Sequence, residues 1–478
     1  MRSKSMIFMS VLVMLFVLTG CLKSASSTQT LPPAGTTAPT TEATSASQGQ
    51  QVIAVTPSVQ APPTTPTTVP TSAPAAANAA VIKVGLVYPM AGPLADWGKD
   101  AQPFIDAAQT NINASPAATA AGKTFNFVVQ SDDQTKAGTM AAVKELVETE
   151  KVSVIVGLPT DQELGYVLPY LQSKHILVVS SAPVDSTLKK SDLLYRLQPG
   201  DQYQAQYLGQ FAIQQGYTKA LVVYSNDPWG TAYANTVAAQ FKSKKYQTVL
   251  FPLKPSTATA IRDYGNDIKS LATKATKMGV NDKLVVILAL EEGQDLDVIH
   301  YGAQDSTFAN VRWLSAKMYP SLLTGKYGNN LNVPDARDFA LARNLWASEP
   351  LVTFNNTVTG IYTQANTTLG HAPNLEHFYL YDAMQLAAQA ILQSKTGKVD
   401  AVVKALPVVI KTYQGATGVV HFDKNGDRDV SDLGYFGLSK DPAQTGDAAW
   451  SFKYYATYDS AAKKFNVLST PAARQGGF

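Results

Sequence analysis

Few residues of this chain stand in patterns that make chemistry possible. Asp132-Asp133 follows an apolar run and offers a carboxylate pair, the raw material of general acid–base work. Asp423-Lys424-Asn425-Gly426-Asp427-Arg428-Asp429 opens like a calcium loop, but the twelfth position, where a bidentate glutamate belongs, is Gly434. A turn between strands is the expected reading. His371 and His377 lie apart from any ligand-type spacing, so no metal site is expected. The sequence has no Gly-rich phosphate loop, no nucleophile elbow and no His-Glu-x-x-His pair. An enzyme needs a perturbed acid, base or nucleophile in a recognised arrangement. None is legible, so neither catalysis nor a cofactor is expected.

The single cysteine, Cys21, has a different chemistry. Arg2 and Lys4 precede an apolar run from Met6 to Leu18 that ends in Leu18-Thr19-Gly20-Cys21. A basic start, a short apolar stretch and small residues at its end describe a secretory signal over residues 1–20. The run is short for a membrane span. With no second cysteine, Cys21 cannot form an internal disulfide. Lipid attachment at Cys21, as the mature N-terminus, is the expectation. Residues 24–82 are rich in Thr, Pro, Ala and Ser, and Glu42 is the one charged residue among them. Such a stretch cannot bury enough apolar surface to offset its ordering entropy. Residues 21–80 therefore read as a lipidated tether, extended by its prolines and suited to O-glycosylation. Asn113, Asn355 and Asn366 also head N-x-S/T triplets.

The remaining chain must supply the positioning elements. With 45% hydrophobic residues it can bury a large core, and its length points to two domains or more. The net charge of +3 over 478 residues provides no clustered basic surface for nucleic acid. Apolar runs at Val81–Pro89, Phe125–Gln130, Val152–Gly157 and Ile176–Ser180 read as strands buried on both faces. Helical spacing separates them, over 99–113, 137–150 and 162–173. The pattern restarts with strands at Ala220–Tyr224, Thr248–Pro252, Leu284–Leu290 and Val311–Leu314, and helices over 231–243, 259–278 and 293–303. Strand–helix alternation builds parallel, doubly wound sheets. The fold class expected is α/β, two Rossmann-like lobes with parallel sheets joined by hinges. Ligands of such sheets sit beyond the strands' carboxyl ends.

Four stretches resemble one family. They are IKVGLVYPMAGPLADWGKDAQ from Ile82, QSDDQTKAGTMAAVKELVETEKVSVIVG from Gln130, YSNDPWGTAYANTVAAQF from Tyr224 and GATGVVHFDKNGDRD from Gly415. In order and spacing they are similar to type I periplasmic binding proteins of the branched-chain amino acid class, the solute receptors of ABC importers. The resemblance implies a first lobe of 81–200 plus 351–417 and a second of 201–350 plus 418–478. It implies capture of a small polar organic solute and delivery to a membrane permease by a monomer. A sensor acting through a separate membrane partner uses the same scaffold and stands as the alternative.

The resemblance also nominates a site. Trp97 holds the place of an aromatic ring after the first strand. Thr160 and Asp161 follow the strand ending at Gly157, where relatives place a hydroxyl for a carboxylate. The loop Ser180-Ser181-Ala182-Pro183-Val184 supplies backbone groups and a hydroxyl, with Val184 where a hydroxyl is common. Trp229 matches an aromatic that closes from the second lobe. Glu291 or Glu292 falls at another contact, and Lys317 stands where a carboxylate for the ligand's ammonium is usual. Asp161 and Lys317 thus have the wrong charge for the family's usual ligand. Either the site has reversed polarity, Lys317 facing an acid and Asp161 a donor, or both charges are solvated.

Overall fold

The computed structural model describes residues 80–183, 193–254, 264–290, 294–318, 326–327, 331–332 and 334–474. The signal, Cys21, the tether, Val184, Glu291 and Glu292 lie outside the described residues.

Five strands form the first sheet: β1 (Ala80–Tyr88), β2 (Lys123–Ser131), β3 (Val154–Gly157), β4 (Leu177–Pro183) and β5 (Leu194–Gln198). Their order is β2-β1-β3-β4-β5, and every pairing is parallel. The β-branched runs explain this. Val84, Leu86, Ile155, Val156, Val178 and Val179 are fully buried, as strands covered on both faces require. One face packs on the helices Gln102–Asn113, His377–Ser394 and Val399–Ile410. The other packs on Lys136–Lys144 and Asp161–Ser173.

The second sheet has eight strands. β6 (Lys219–Ser225), β7 (Gln247–Leu253), β8 (Leu284–Ala289) and β9 (Arg312–Ser315) run parallel in the order β7-β6-β8-β9, and Trp346–Pro350 adds a fifth parallel strand. Three antiparallel strands, Leu433–Lys440, Trp450–Asp459 and Lys464–Ala473, complete it. The expected wholly parallel second sheet is therefore a mixed one. The reason is connectivity: these last strands are joined by short links, which suit antiparallel pairing, whereas parallel pairing needs a crossover of a dozen residues or more.

The chain passes between the sheets at three places: after Gln198, after Pro350, and between Ala416 and Leu433. Residues from Val84 to Leu197 and from Val358 to Val420 share one core. All described residues fall within one compact unit, Ser72–Phe478.

The crossings are pinned by buried charge. Arg428, 2% exposed, donates from Nη1 to Leu197 O (3.2 Å) and Thr417 Oγ1 (2.7 Å), from Nη2 to Thr417 O (2.6 Å) and Val419 O (2.7 Å), and from Nε to Val430 O (2.8 Å). The fixed guanidinium fork suits such a cluster of carbonyls. Asp382, fully buried, accepts from Tyr413 Oη (2.6 Å), Ala416 N (2.8 Å) and Thr417 N (2.9 Å). The calcium-like sequence forms a turn, as expected. Asp423 accepts from Asn425 N (2.7 Å) and Asp427 N (3.0 Å), and the turn docks on the edge of β5 through Arg196 N to Gly426 O (2.9 Å) and Arg428 N to Arg196 O (3.1 Å). Its carboxylate is thus spent on backbone amides. Among the described residues, no group of three or more His, Cys, Asp or Glu is placed to hold a metal ion.

Candidate functional site

The loops at the carboxyl ends of the parallel strands carry most of the nominated residues. Beyond β1, Trp97 lies on the short helix Ala95–Lys99. Its half-buried indole stacks on Tyr88 with centroids 5.2 Å apart and leans on His377 at 4.8 Å. His377 is fully buried, and its Nδ1 is 3.1 Å from Tyr88 Oη. Burial pushes the imidazole down to about 3, so it is neutral at physiological pH. Trp97 therefore caps a small aromatic stack at the lobe's rim.

After β3 the backbone turns sharply. Gly157 has φ +93°, and a side chain there would meet Val87 O at 2.2 Å. This brings Thr160 to the N-terminus of the helix Asp161–Ser173, where it forms a capping box: Thr160 Oγ1 accepts from Glu163 N (3.2 Å), and Glu163 Oε2 accepts from Thr160 N (2.9 Å). The Thr160 oxygen is committed to the cap. Asp161, the next residue, stands 3.5 Å from Arg196 Nη1, and the same guanidinium donates from Nε to Asp427 Oδ1 at 2.8 Å. Arg196 is 4% exposed. Asp161 thus carries a compensated charge.

Asp132, just past the end of β2, is not paired functionally with Asp133. Asp133 is solvent-facing and caps Thr135, accepting from its amide (3.0 Å) and hydroxyl (2.7 Å), which holds its carboxyl below the usual range. Asp132 is buried instead beside Glu163, which is fully buried. Burial, followed by the neighbouring Asp132 charge, pushes Glu163 up to about 8, and burial raises Asp132 as well. An ionised Asp132 beside Glu163 thus disfavours its charged form further.

Ser181 and Ala182 lie in β4 and are buried. Ser180 Oγ ties this turn, donating to Leu158 O (2.8 Å) and accepting from Ala182 N (2.9 Å). The Ala182 amide is therefore occupied in this structure.

From the second lobe, Trp229 follows Asp227, which caps the helix Pro228–Ser243 by accepting from Gly230 N at 2.8 Å. The Trp229 indole donates to Asp201 Oδ2 at 2.6 Å. Lys317 Nζ lies 4.2 Å from the Trp229 ring centroid, a cation–π contact. The two nominated residues are thus brought together, and Asp201 joins them from the first crossing.

Several neighbours escaped the sequence reading. Glu376 precedes the helix His377–Ser394. It is reached by solvent but enclosed by protein, and this crowding raises its carboxyl while Gln198 and then Lys317 lower it. Gln198 Nε2 approaches its Oε1 at 3.4 Å. Nearby, Arg474 forks onto Glu349 at 2.8 and 2.7 Å. These groups border a cavity of about 190 Å³ with Pro350, Val352, Leu375 and Tyr379. Glu376 and Arg474 lie in segments that meet only in the folded chain, so no local spacing marks them. The arrangement offers charged, aromatic and hydroxyl groups for holding a solute.

Comparison with known proteins agrees with this architecture. A family model described as periplasmic binding protein matches residues 81–437. A leucine binding protein of Thermotoga maritima has the same fold, with a TM-score of 0.55 and 14% identity over 80% of this chain and 99% of its own. An ABC transporter substrate-binding protein of Sphaerobacter thermophilus gives 0.60 and 13% over 80% and 98%. A solute binding protein of R. palustris in complex with 4-hydroxybenzoate gives 0.55 and 19% over 76% and 95%. Among curated proteins, an uncharacterised protein of Methanocaldococcus jannaschii is 23% identical over 222 residues, 44% of this chain. The chain spans about half, 51%, of that relative's length. With two α/β lobes and a family match that extends from β1 into the antiparallel strands, this chain belongs to the periplasmic binding protein family.

Proposed function

We infer that this chain is the extracytoplasmic solute receptor of an ABC importer, capturing a small polar organic solute between its lobes and presenting it to a membrane permease. The observation that carries this reading is the meeting of Trp229, Lys317 and Asp201 beyond the carboxyl ends of β6 and β9, within a chain of this family. Solved proteins of this fold are described as binding leucine or 4-hydroxybenzoate, and a solute of comparable size suits this site.

The working division is a first lobe of 81–200 plus 351–417 and a second of 201–350 plus 418–478, hinged at the three crossings. Trp97 and Trp229 serve as aromatic walls and Ser181 as a hydroxyl on the first lobe. Thr160 and Asp161 act behind the surface, the one as a helix cap and the other as a partner of Arg196. Ligand closes the lobes by stabilising the closed state. No acid, base or nucleophile is required, and the chain works without catalysis. Lipid on Cys21 holds it at the membrane, with residues 21–80 as the tether.

Mass spectrometry of the solute retained by the purified chain tests capture. A bound small molecule that also narrows the solution scattering profile is the expected result. An empty protein whose scattering no cell extract alters would overturn the reading. Membrane fractionation of Cys21→Ser tests the anchor separately: release into the soluble fraction is expected, and retention at the membrane contradicts it.

A further inference from the structure

Three loops meet at the amino ends of β6, β7 and β8, the end of the second sheet opposite Trp229 and Lys317. Each follows the carboxyl end of a helix: Asp201–Gln214, Pro228–Ser243 and Gly265–Met278. Backbone bonds hold the loops together as one surface. Thr218 N and Lys219 N donate to Lys283 O at 3.1 and 3.0 Å, and Gln247 N donates to Thr218 O at 3.1 Å. Lys219 Nζ donates to Gly279 O at 3.3 Å. The surface is basic. Lys242, Lys244, Lys245, Lys277 and Lys283 are exposed on it. Of these five, Lys283 alone has an acidic partner among the described residues, Asp282 at 3.5 Å. The helix ends answer part of this charge, but each carries about half a unit of negative charge, which leaves an excess over the lysines' sum. The even charge of the chain gives no reason to expect a basic surface, and folding makes one from lysines of separate segments. Two large apolar side chains are exposed in the same loops: Tyr246, 37% exposed, next to Lys245, and Val280, 41% exposed, next to Gly279.

We propose that this tip of the second lobe docks on an anionic lipid bilayer, with the lysines among the headgroups and Tyr246 and Val280 entering the interface. The inference goes beyond solute capture and holds whatever the solute is. Lysine is a compact point charge that a fluid array of headgroups can satisfy from any side. A site for one fixed carboxylate or phosphate would favour the fork of arginine, and residues 214–219, 242–247 and 277–284 contain none. A nucleic acid or an acidic protein would also answer the charge. The exposed tyrosine beside an aliphatic residue decides between them, because an apolar ring with a polar tip suits the headgroup layer. A single acyl chain anchors weakly and reversibly, so a basic patch would supply the second attachment that a lipid on Cys21 needs. The carboxyl ends of the same strands, where Trp229 and Lys317 meet, stay uncovered.

The experiment is vesicle sedimentation with the mature chain from residue 21, carrying Cys21→Ser so that no lipid anchor contributes. Binding is expected to vesicles of phosphatidylglycerol mixed into phosphatidylcholine. It should be tenfold or more weaker with phosphatidylcholine alone, and lost at about 1 M salt, where charges are screened beyond about 3 Å. Lys244→Gln, Lys245→Gln and Lys283→Gln together should weaken binding about tenfold or more, since each lysine contributes roughly fivefold. The same three changed to Arg should bind like the wild type. Tyr246→Ser with Val280→Ser should weaken binding several-fold and leave its salt dependence unchanged. No binding to the anionic vesicles at low salt, or equal binding to the neutral ones, overturns the proposal. So does a Gln set that binds like the wild type, or an Arg set that loses as much as the Gln set. If the Tyr246 and Val280 substitutions change nothing and duplex DNA is held more tightly than vesicles, the partner is a nucleic acid and the bilayer assignment fails.

Discussion

Arg196 donates its Nε to Asp427 Oδ1 at 2.8 Å, joining the last strand of the first sheet to the third crossing between the lobes. The same guanidinium faces Asp161 at 3.5 Å. One buried cation thereby compensates two carboxylates from segments far apart in the chain. It fixes the turn that carries Arg428, and Arg428 in turn clasps Leu197, Thr417 and Val419. The crossings on this side are a hydrogen-bonded unit.

Replacing Arg196 with Met leaves Asp161 and Asp427 close together without their cation. Removing one partner of a buried ion pair costs about 3–5 kcal/mol, and the partial exposure of both carboxylates lowers that to about 2 kcal/mol. Denaturant unfolding should show this loss, and restoring neutrality with Asp427→Asn in the same chain should recover part of it. An unchanged midpoint would mean that the pair contributes nothing.

The Asp132–Glu163 pair makes stability depend on pH. Glu163 has its carboxyl raised in the folded state from 4.5 to about 8. A raised pKa means that the folded chain holds a proton the unfolded chain has released, so the contribution is full below pH 4.5. It is lost as pH rises from there through about 8. Glu163→Gln keeps the carbonyl that accepts from Thr160 N and removes the titration. Thermal melts should show the wild type losing ground to Glu163→Gln between about pH 5 and about pH 8, by on the order of a few kcal/mol. Parallel curves would rule out a raised Glu163.

Trp229 holds two partners, Asp201 through its indole nitrogen and Lys317 on its face. Trp229→Phe retains the face and loses the nitrogen; Trp229→Ala loses both. The Phe variant should keep measurable solute binding and lose about 1 kcal/mol of stability with the hydrogen bond. The Ala variant should lose binding. Trp97→Ala exposes the Tyr88–His377 stack and should weaken binding with a lower melting temperature, since the ring is also packed against the first core. If Trp229→Phe and Trp229→Ala bind alike, the aromatic face has no part in the site.

How much of this is legible in the sequence follows from range. The continuous β-branched runs become strands with ends within about three residues, because burial on both faces leaves a local signature. β5, Leu194–Gln198, does not read as a strand: it is short and has a buried arginine at its centre, whose partner Asp427 lies in another part of the chain. Trp346–Pro350 carries a glutamate and a proline and has no continuous β-branched run, yet it pairs with β9 and Leu433–Lys440. The family resemblance brings Trp229 and Lys317 to one site, but the place of Glu376 depends on how the returning helix packs. Periodicity records that this helix is buried, not which lobe its first turn faces.

Gly426 tests whether the turn at the third crossing is built for its position. Its φ is +79°, where residues with a side chain are strained, and an added Cβ would lie 2.1 Å from Leu194 O. That oxygen is backbone within β5, so it can recede only by shifting the strand that bears Arg196. The strain must therefore reach the Arg196–Asp427 pair and the Arg196 N to Gly426 O bond of 2.9 Å. Gly426→Ala should cost about 2 kcal/mol or more in denaturant unfolding, the sum of left-handed strain and a displaced ion pair. Asn425→Ala, one residue away, removes only a side-chain bond to Asp423 at 2.9 Å and should cost about 1 kcal/mol or less. Equal losses from the two substitutions would show that the turn's sequence, and not the close approach to β5, is what the crossing requires.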